Sequence, residues 1–182
     1  CQKLSHVTIR EGIKSLPRGI FAYCSNLSGI LLPESLETIG EGALMLSGIT
    51  TINIPENVNN IDSTAFLSAK HLKSLTVAEK NESYIAKENM LLSKDGKKLV
   101  CGTRGVNQNL VIPDGVEVIG TGAFLFVPLK TITIPASVRV IEAYAFAGEN
   151  TYTSVTMADG VEEIGDYAFG AGILVGNNFY QD

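Results

Sequence analysis

The chain has 182 residues, of which 45% are hydrophobic and 18% charged, with no tryptophan; this suits one domain of ordinary size or one short repeat array. Fourteen Lys and Arg against 19 Asp and Glu leave a net charge of −5 with no basic run, which argues against phosphate-driven nucleic-acid binding. No apolar stretch, even around Phe124–Val127, approaches the roughly 20 residues needed to span a bilayer.

The chain repeats itself. Ile49 to Phe66 aligns with Leu129 to Phe146, apolar residue against apolar residue, on the pattern L-x-x-I-x-I-P-x-x-V-x-x-I-G-x-x-A-F. Copies open at Leu4, Leu27, Ile49, Leu72, Asn107, Leu129 and Tyr152, in steps of 23, 22, 23, 35, 22 and 23 residues, so only the fourth is long. Each copy begins with two aliphatic residues at period two: Val7/Ile9, Ile30/Leu32, Ile52/Ile54, Leu75/Val77, Leu110/Ile112, Ile132/Ile134 and Val155/Met157. These predict short strands that stack into one parallel sheet. Pro33, Pro55, Pro113 and Pro135 follow, where a residue without an N–H ends the ladder and starts a turn. A second apolar pair, such as Leu36/Ile39 or Val138/Ile141, runs back beneath the sheet. Ala-Phe then closes the coil, so that Phe21, Phe66, Phe124, Phe146 and Phe169, with Leu44 once in place of Phe, are expected to stack as an interior ladder.

These residues carry a resemblance. The six near-complete copies of I-P-x-x-V-x-x-I-G-x-x-A-F, with Cys24 three residues before Leu27, are similar to the BspA-like leucine-rich repeats of secreted and surface proteins. The chain departs from that pattern at Arg10 and Pro17 in the first copy, and at Asn81 and Tyr84 in the fourth, where V-x-x-I is usual. The expected class is a β-rich α/β solenoid, a right-handed superhelix of about seven coils with turns or 3₁₀ segments opposite the sheet, and residues 1–182 form a single domain. Within the long copy, Met90 to Val100 holds two apolar runs around Asp95-Gly96 and predicts a β-hairpin, in an insert over about 84–104. Cys1 stands before Leu4 as Cys24 stands before Leu27, which suggests an array truncated at its start, and Leu174 to Phe179 reads as a degraded closing strand.

Chemistry is sparse. Three cysteines without a C-x-x-C pair and two histidines offer no zinc site, and His6 and His71 fall three coils apart, too far to share a nucleophilic site. No catalytic residue, metal or cofactor is expected. Glu11, Glu34, Glu56, Glu79, Asp114 and Asp159 form a column after the strands, which reads as a solvated turn face rather than a Ca²⁺ site. The exposed sheet face is the candidate for recognition: Thr8, Leu31, Asn53, Thr76, Val111, Thr133 and Thr156, with Thr131 and Ser154 beside them, give an uncharged, hydroxyl-rich column in which Leu31 and Val111 are apolar anchors. An exposed cluster around Tyr84 and Leu91 would favour a protein partner. The resemblance implies a non-enzymatic adhesion module, secreted or at a cell surface, that binds a host or microbial surface protein; glycan binding and a structural spacer are the alternatives.

Overall fold

The structure, a computed structural model, describes residues 1, 3–148, 151–170, 173–175 and 178–180. Each of the first three copies makes a longer and a shorter strand: β1 (His6–Thr8) and β2 (Ser15–Leu16), β3 (Gly29–Leu31) and β4 (Thr38–Ile39), β5 (Thr51–Ile54) and β6 (Asn60–Ile61). The fourth holds β7 (Ser74–Val77), β8 (Tyr84–Lys87), β9 (Met90–Ser93) and β10 (Lys98–Gly102). Alternation resumes with β11 (Asn109–Val111), β12 (Val118–Ile119), β13 (Thr131–Ile134), β14 (Val140–Ile141), β15 (Ser154–Met157) and β16 (Glu163–Ile164). Last come β17 (Ile173–Val175) and β18 (Asn178–Tyr180), which pair antiparallel with each other instead of closing the parallel stack; Asn177 lies outside the described residues.

The period-two pairs set the register. Ile52 lies opposite Leu75, and Leu110 opposite Ile132 and then Val155, so each inward side chain meets its counterpart one coil along. Where the sequence predicts one front sheet, the ladder is in three parts, β1–β3, β5–β7 and β11–β13–β15. β3 and β5 remain tied through the Thr50 N–H on the Ser28 carbonyl, whereas between β7 and β11 the long fourth copy intervenes. The short strands stack behind as β2–β4–β6 and as β10–β12–β14–β16, all parallel. Between front and back, the proline turns close locally: the N–H groups of Leu36, Val58, Val116 and Val138 donate to the carbonyls of Pro33, Pro55, Pro113 and Pro135.

The described residues contain no helix, which corrects the α/β part of the expected class. The Ala-Phe segments bond sideways: the N–H of Phe21 donates to the Ala43 carbonyl, Leu44 to Ala65, Phe124 to Ala145 and Phe146 to Ala168. Donors spent on the neighbouring coil are not available for the i→i−4 ladder of a helix. The residue two before the ring position is left-handed in five copies, as glycine at Gly19, Gly42 and Gly122 and as tyrosine at Tyr144 (φ 60°) and Tyr167 (φ 54°), whose rings stack at 5.5 Å, but not at Thr64.

The interior forms two main clusters. One runs from Leu16 to Leu75, and the other from Leu110 through Ile141 to Ala168. The fourth copy sits between them as a septum. β8, β9 and β10 form an antiparallel meander joined by a tight turn at Glu88 (φ 50°) and Asn89 (φ 62°) and by the Asp95-Gly96 turn. In β9, Leu91 packs into the first cluster while Met90 and Leu92 pack into the second; in β10, Val100 and Cys101 face the first and Leu99 the second. The last strand then enters the back sheet in parallel register, Leu99 opposite Ile119. Leu91 is fully buried and Tyr84 half-buried, so no exposed cluster forms around them and that sign of a protein partner is not found here.

The phenylalanine ladder is likewise interrupted. Phe124, Phe146 and Phe169 stack at 5.3 and 5.2 Å. In the fourth coil the equivalent residue is Gly102, whose N–H donates to the Ala123 carbonyl just as Phe124 donates to Ala145. The Phe124 ring leans into the space: a Cβ added at Gly102 would collide with it.

Candidate interaction surface

The front strands carry Thr8, Leu31, Asn53, Thr76, Val111, Thr133, Ser154 and Thr156 exposed, with Thr131 half-buried. Register places Thr8 beside Leu31, Asn53 beside Thr76, Val111 beside Thr133, Thr133 beside Thr156, and Thr131 beside Ser154. Leu31 and Val111 are 66% and 60% exposed, the most open large apolar residues described. The septum divides this column, so that Thr76 and Val111 do not share a ladder. Two cross-coil locks, unread in the sequence, hold part of it: the Thr76 hydroxyl lies 2.9 Å from Asn53 Oδ1, and that of Thr131 3.2 Å from Asn109 Oδ1. The signal was there, since hydroxyl and carboxamide recur one period apart.

The carboxylate column does not simply diverge into water. Glu11 accepts from the N–H groups of Glu34 and Ser35, 2.9 and 3.0 Å away, and Glu34 accepts from the N–H of Glu56. The Glu34 and Ser35 N–H bonds hold the Glu11 carboxyl below its usual range. These side chains cap the next coil's turn, and among the described residues no His, Cys, Asp and Glu group could hold a metal ion. Of the three free cysteines, Cys1 is exposed and Cys24 and Cys101 are buried; burial pushes the Cys101 thiol up to about 12, so it carries no thiolate at neutral pH. Beside Cys101 the cavity holds about 20 Å³, room for about one water.

Asn81 replaces the inward valine of the fourth coil and is fully buried. Its Nδ2 donates to the carbonyls of Pro55 and Val58, and its Oδ1 accepts from the N–H groups of Ser83 and Tyr84. Tyr84, in the isoleucine position, accepts the Ile61 N–H on its phenolic oxygen, which covers the end of the β6 ladder. Between β7 and β8 lies an open groove of about 380 Å³, lined by Leu75, Thr76, Val77, Tyr84, Ile85 and Ala86.

The sequence matches the family model described as BspA type leucine-rich repeat region, in six copies over residues 1–91 and 104–177. No curated protein matches it. Among solved structures, a leucine-rich cell surface protein from Faecalibacterium prausnitzii superposes with a TM-score of 0.80 at 32% identity, over 86% of this chain and 42% of that one. The pneumococcal vaccine antigen PcpA shares the fold, with a TM-score of 0.76 at 19% identity over 91% of this chain and 48% of that one. A leucine-rich repeat protein from Eubacterium ventriosum gives 0.64 at 20% identity, over 84% and 56%. The chain thus spans about half the length, or less, of the proteins it resembles. No helix among the described residues is long and apolar enough to cross a membrane.

Proposed function

We propose, from the premise that this chain belongs to the BspA-type leucine-rich repeat family, that it is a non-enzymatic protein-recognition module acting at a cell surface or in secreted form. The observation that carries this reading is the front column, uncharged from Thr8 to Thr156 and open at Leu31 and Val111. Its threonines are solvent-facing on a repeat scaffold, and Leu31 and Val111 supply apolar anchors of the kind that dominate interface energetics. The cell-surface description of the Faecalibacterium relative supports the location. Host and microbial surface proteins are the partners to screen first. The outward front positions carry no Phe, Tyr or Trp, so the stacking platforms of a sugar site are missing from this face, which favours a protein over a glycan.

The test is a binding screen against extracellular-matrix and bacterial surface proteins beside a glycan array, followed by the Thr133→Lys/Thr156→Lys double variant. Both side chains are exposed, so the melting temperature should hold while affinity for a protein hit falls about tenfold or more, some 1.4 kcal/mol. A hit that binds the double variant as tightly as the parent places recognition elsewhere, hits confined to glycans replace the protein reading, and silence throughout favours the spacer.

A further inference from the structure

The long fourth copy leaves a strand edge open. Along β7 the N–H groups of Ser74 and Ala78 donate to the Thr50 and Ile54 carbonyls of the preceding coil. Successive backbone groups of a strand point to opposite sides, so those of Leu75 and Val77 point the other way, to where β11 would pair in an unbroken solenoid. β11 pairs only with β13, and among the described residues nothing bonds the backbone N–H and C=O groups of Leu75 and Val77. The edge is covered at its start alone, where the Arg104 N–H takes the Leu72 carbonyl and the Thr103 hydroxyl the Lys73 carbonyl. The facing edge of β11 is partly blunted, because the Asn107 side chain occupies the Asn109 N–H. β7 has no such device: no proline, no charge and no bulge interrupts Ser74–Val77.

The groove beside it has the form of a peptide site. β7 makes one wall and β8, itself the edge strand of the six-stranded sheet, makes the other. Its volume of about 380 Å³ lies within the roughly 300–1,000 Å³ of ligand pockets. Ile85 and Ala86 offer apolar surface, while Glu79 and Glu88 stand at the rim and form no ion pair among the described residues. Lys94, the one lysine in the lining, is engaged with its Nζ 2.6 Å from the Asn81 carbonyl. We propose that the open edge of β7 takes up an extended basic peptide segment of a partner protein, which pairs with Leu75 and Val77 as an added strand and sets a Lys or Arg against Glu79 and Glu88. The partner class follows the protein-recognition reading above; the site shares Thr76 with the front column but lies across the septum from Thr133 and Thr156.

The experiment is selection of a phage-displayed random decapeptide library on the whole chain, with enriched peptides resynthesised and titrated. The expected hits combine β-branched residues with Lys or Arg. N-methylation of alternate peptide nitrogens, which removes strand pairing but keeps side chains, should weaken binding about tenfold or more. Ala86→Trp should do the same by filling the groove; Ala86 is exposed, and an unchanged melting temperature would show the variant folded. The Thr133→Lys/Thr156→Lys variant should bind the peptides as the parent does, which separates failure here from failure of the sheet-face reading. No enrichment, indifference to N-methylation, or full binding to a folded Ala86→Trp variant would each overturn the proposal.

Discussion

Glu142 shows how one side chain fastens three coils. Its Oε1 lies 3.0 Å from the Lys98 ammonium, and its Oε2 accepts from both the N–H and the hydroxyl of Thr121 at 2.8 Å. Partial burial works to raise its pKa, but the hydrogen bonds from Thr121 and Lys98 outweigh it and hold the carboxyl below the ordinary 4.5. A carboxylate whose pKa is lower folded than unfolded stabilises the fold above the unfolded value, and loses that contribution as pH falls through the folded one. The melting temperature should therefore drop as pH falls below about 4.5, and in a Glu142→Gln variant the drop should be shallower, with a lower plateau at neutral pH. Parallel pH profiles of parent and variant would expose the role as wrong. Little of this was legible in advance. Glu142 stands where the pattern has glycine, but that departure names no partner, and its partners lie 21 and 44 residues away. Asn81 and Tyr84 were visible as departures from V-x-x-I, but not as substitutes for strand bonds, because the Pro55 and Val58 carbonyls and the Ile61 N–H that they satisfy belong to the preceding coil.

At the scale of elements, the strands and turns were readable because each copy states them again, and errors in one copy are outvoted by the others. The fourth copy has no second statement. Its run Met90-Leu-Leu reads as one arm of a hairpin, yet both of its faces are covered, and a strand buried on both sides loses the alternation that marks a half-exposed one. Gly102 was missed for a related reason: aligning Cys101-Gly102 with Ala-Phe requires knowing that the meander rejoins the back sheet at Lys98 and Leu99. Its absent side chain is used by Phe124, so Gly102→Ala should cost about 1–3 kcal/mol from overpacking. Phe124→Leu in the same chain should recover part of that loss. Denaturant unfolding of the two single variants and the double measures the coupling, and simple additivity would show that the ring and the glycine do not depend on each other.

Taken whole, the molecule is two stacks bridged by a septum that shares its side chains between two cores. The exposed ion pairs of the coil surfaces, such as Lys14–Glu37 at 2.8 Å, hold the stacks weakly, since exposed pairs contribute little; the bridge depends on Leu91 and Leu92. Opening there would expose Cys101 before Cys24, which lies near the start of the first cluster. In the parent, a thiol reagent should modify Cys1 quickly and leave Cys24 and Cys101 unmodified. In Leu91→Ala, a buried truncation that costs about 2–5 kcal/mol, Cys101 should become reactive faster than Cys24, as peptide mass spectrometry of the alkylated protein would show. Equal acceleration of both would mean that the stacks open as one cooperative unit.

The septum also decides how the molecule would carry load. Hydrogen bonds between coils lie along the long axis, so a pull on the two ends sets each ladder in tension, bond behind bond. Between β7 and β11 the front ladder lapses, and the back ladder ends at β6 under a single tyrosine oxygen before resuming in the meander. Tension crosses that plane through the few bonds of Asn81, Thr103 and Arg104 and through the interlocked leucines of β9 and β10, which grip without direction and release by sliding. A strained chain of this design parts first at the septum and leaves the two stacks intact, tethered by an unravelled hairpin that acts as a mechanical fuse.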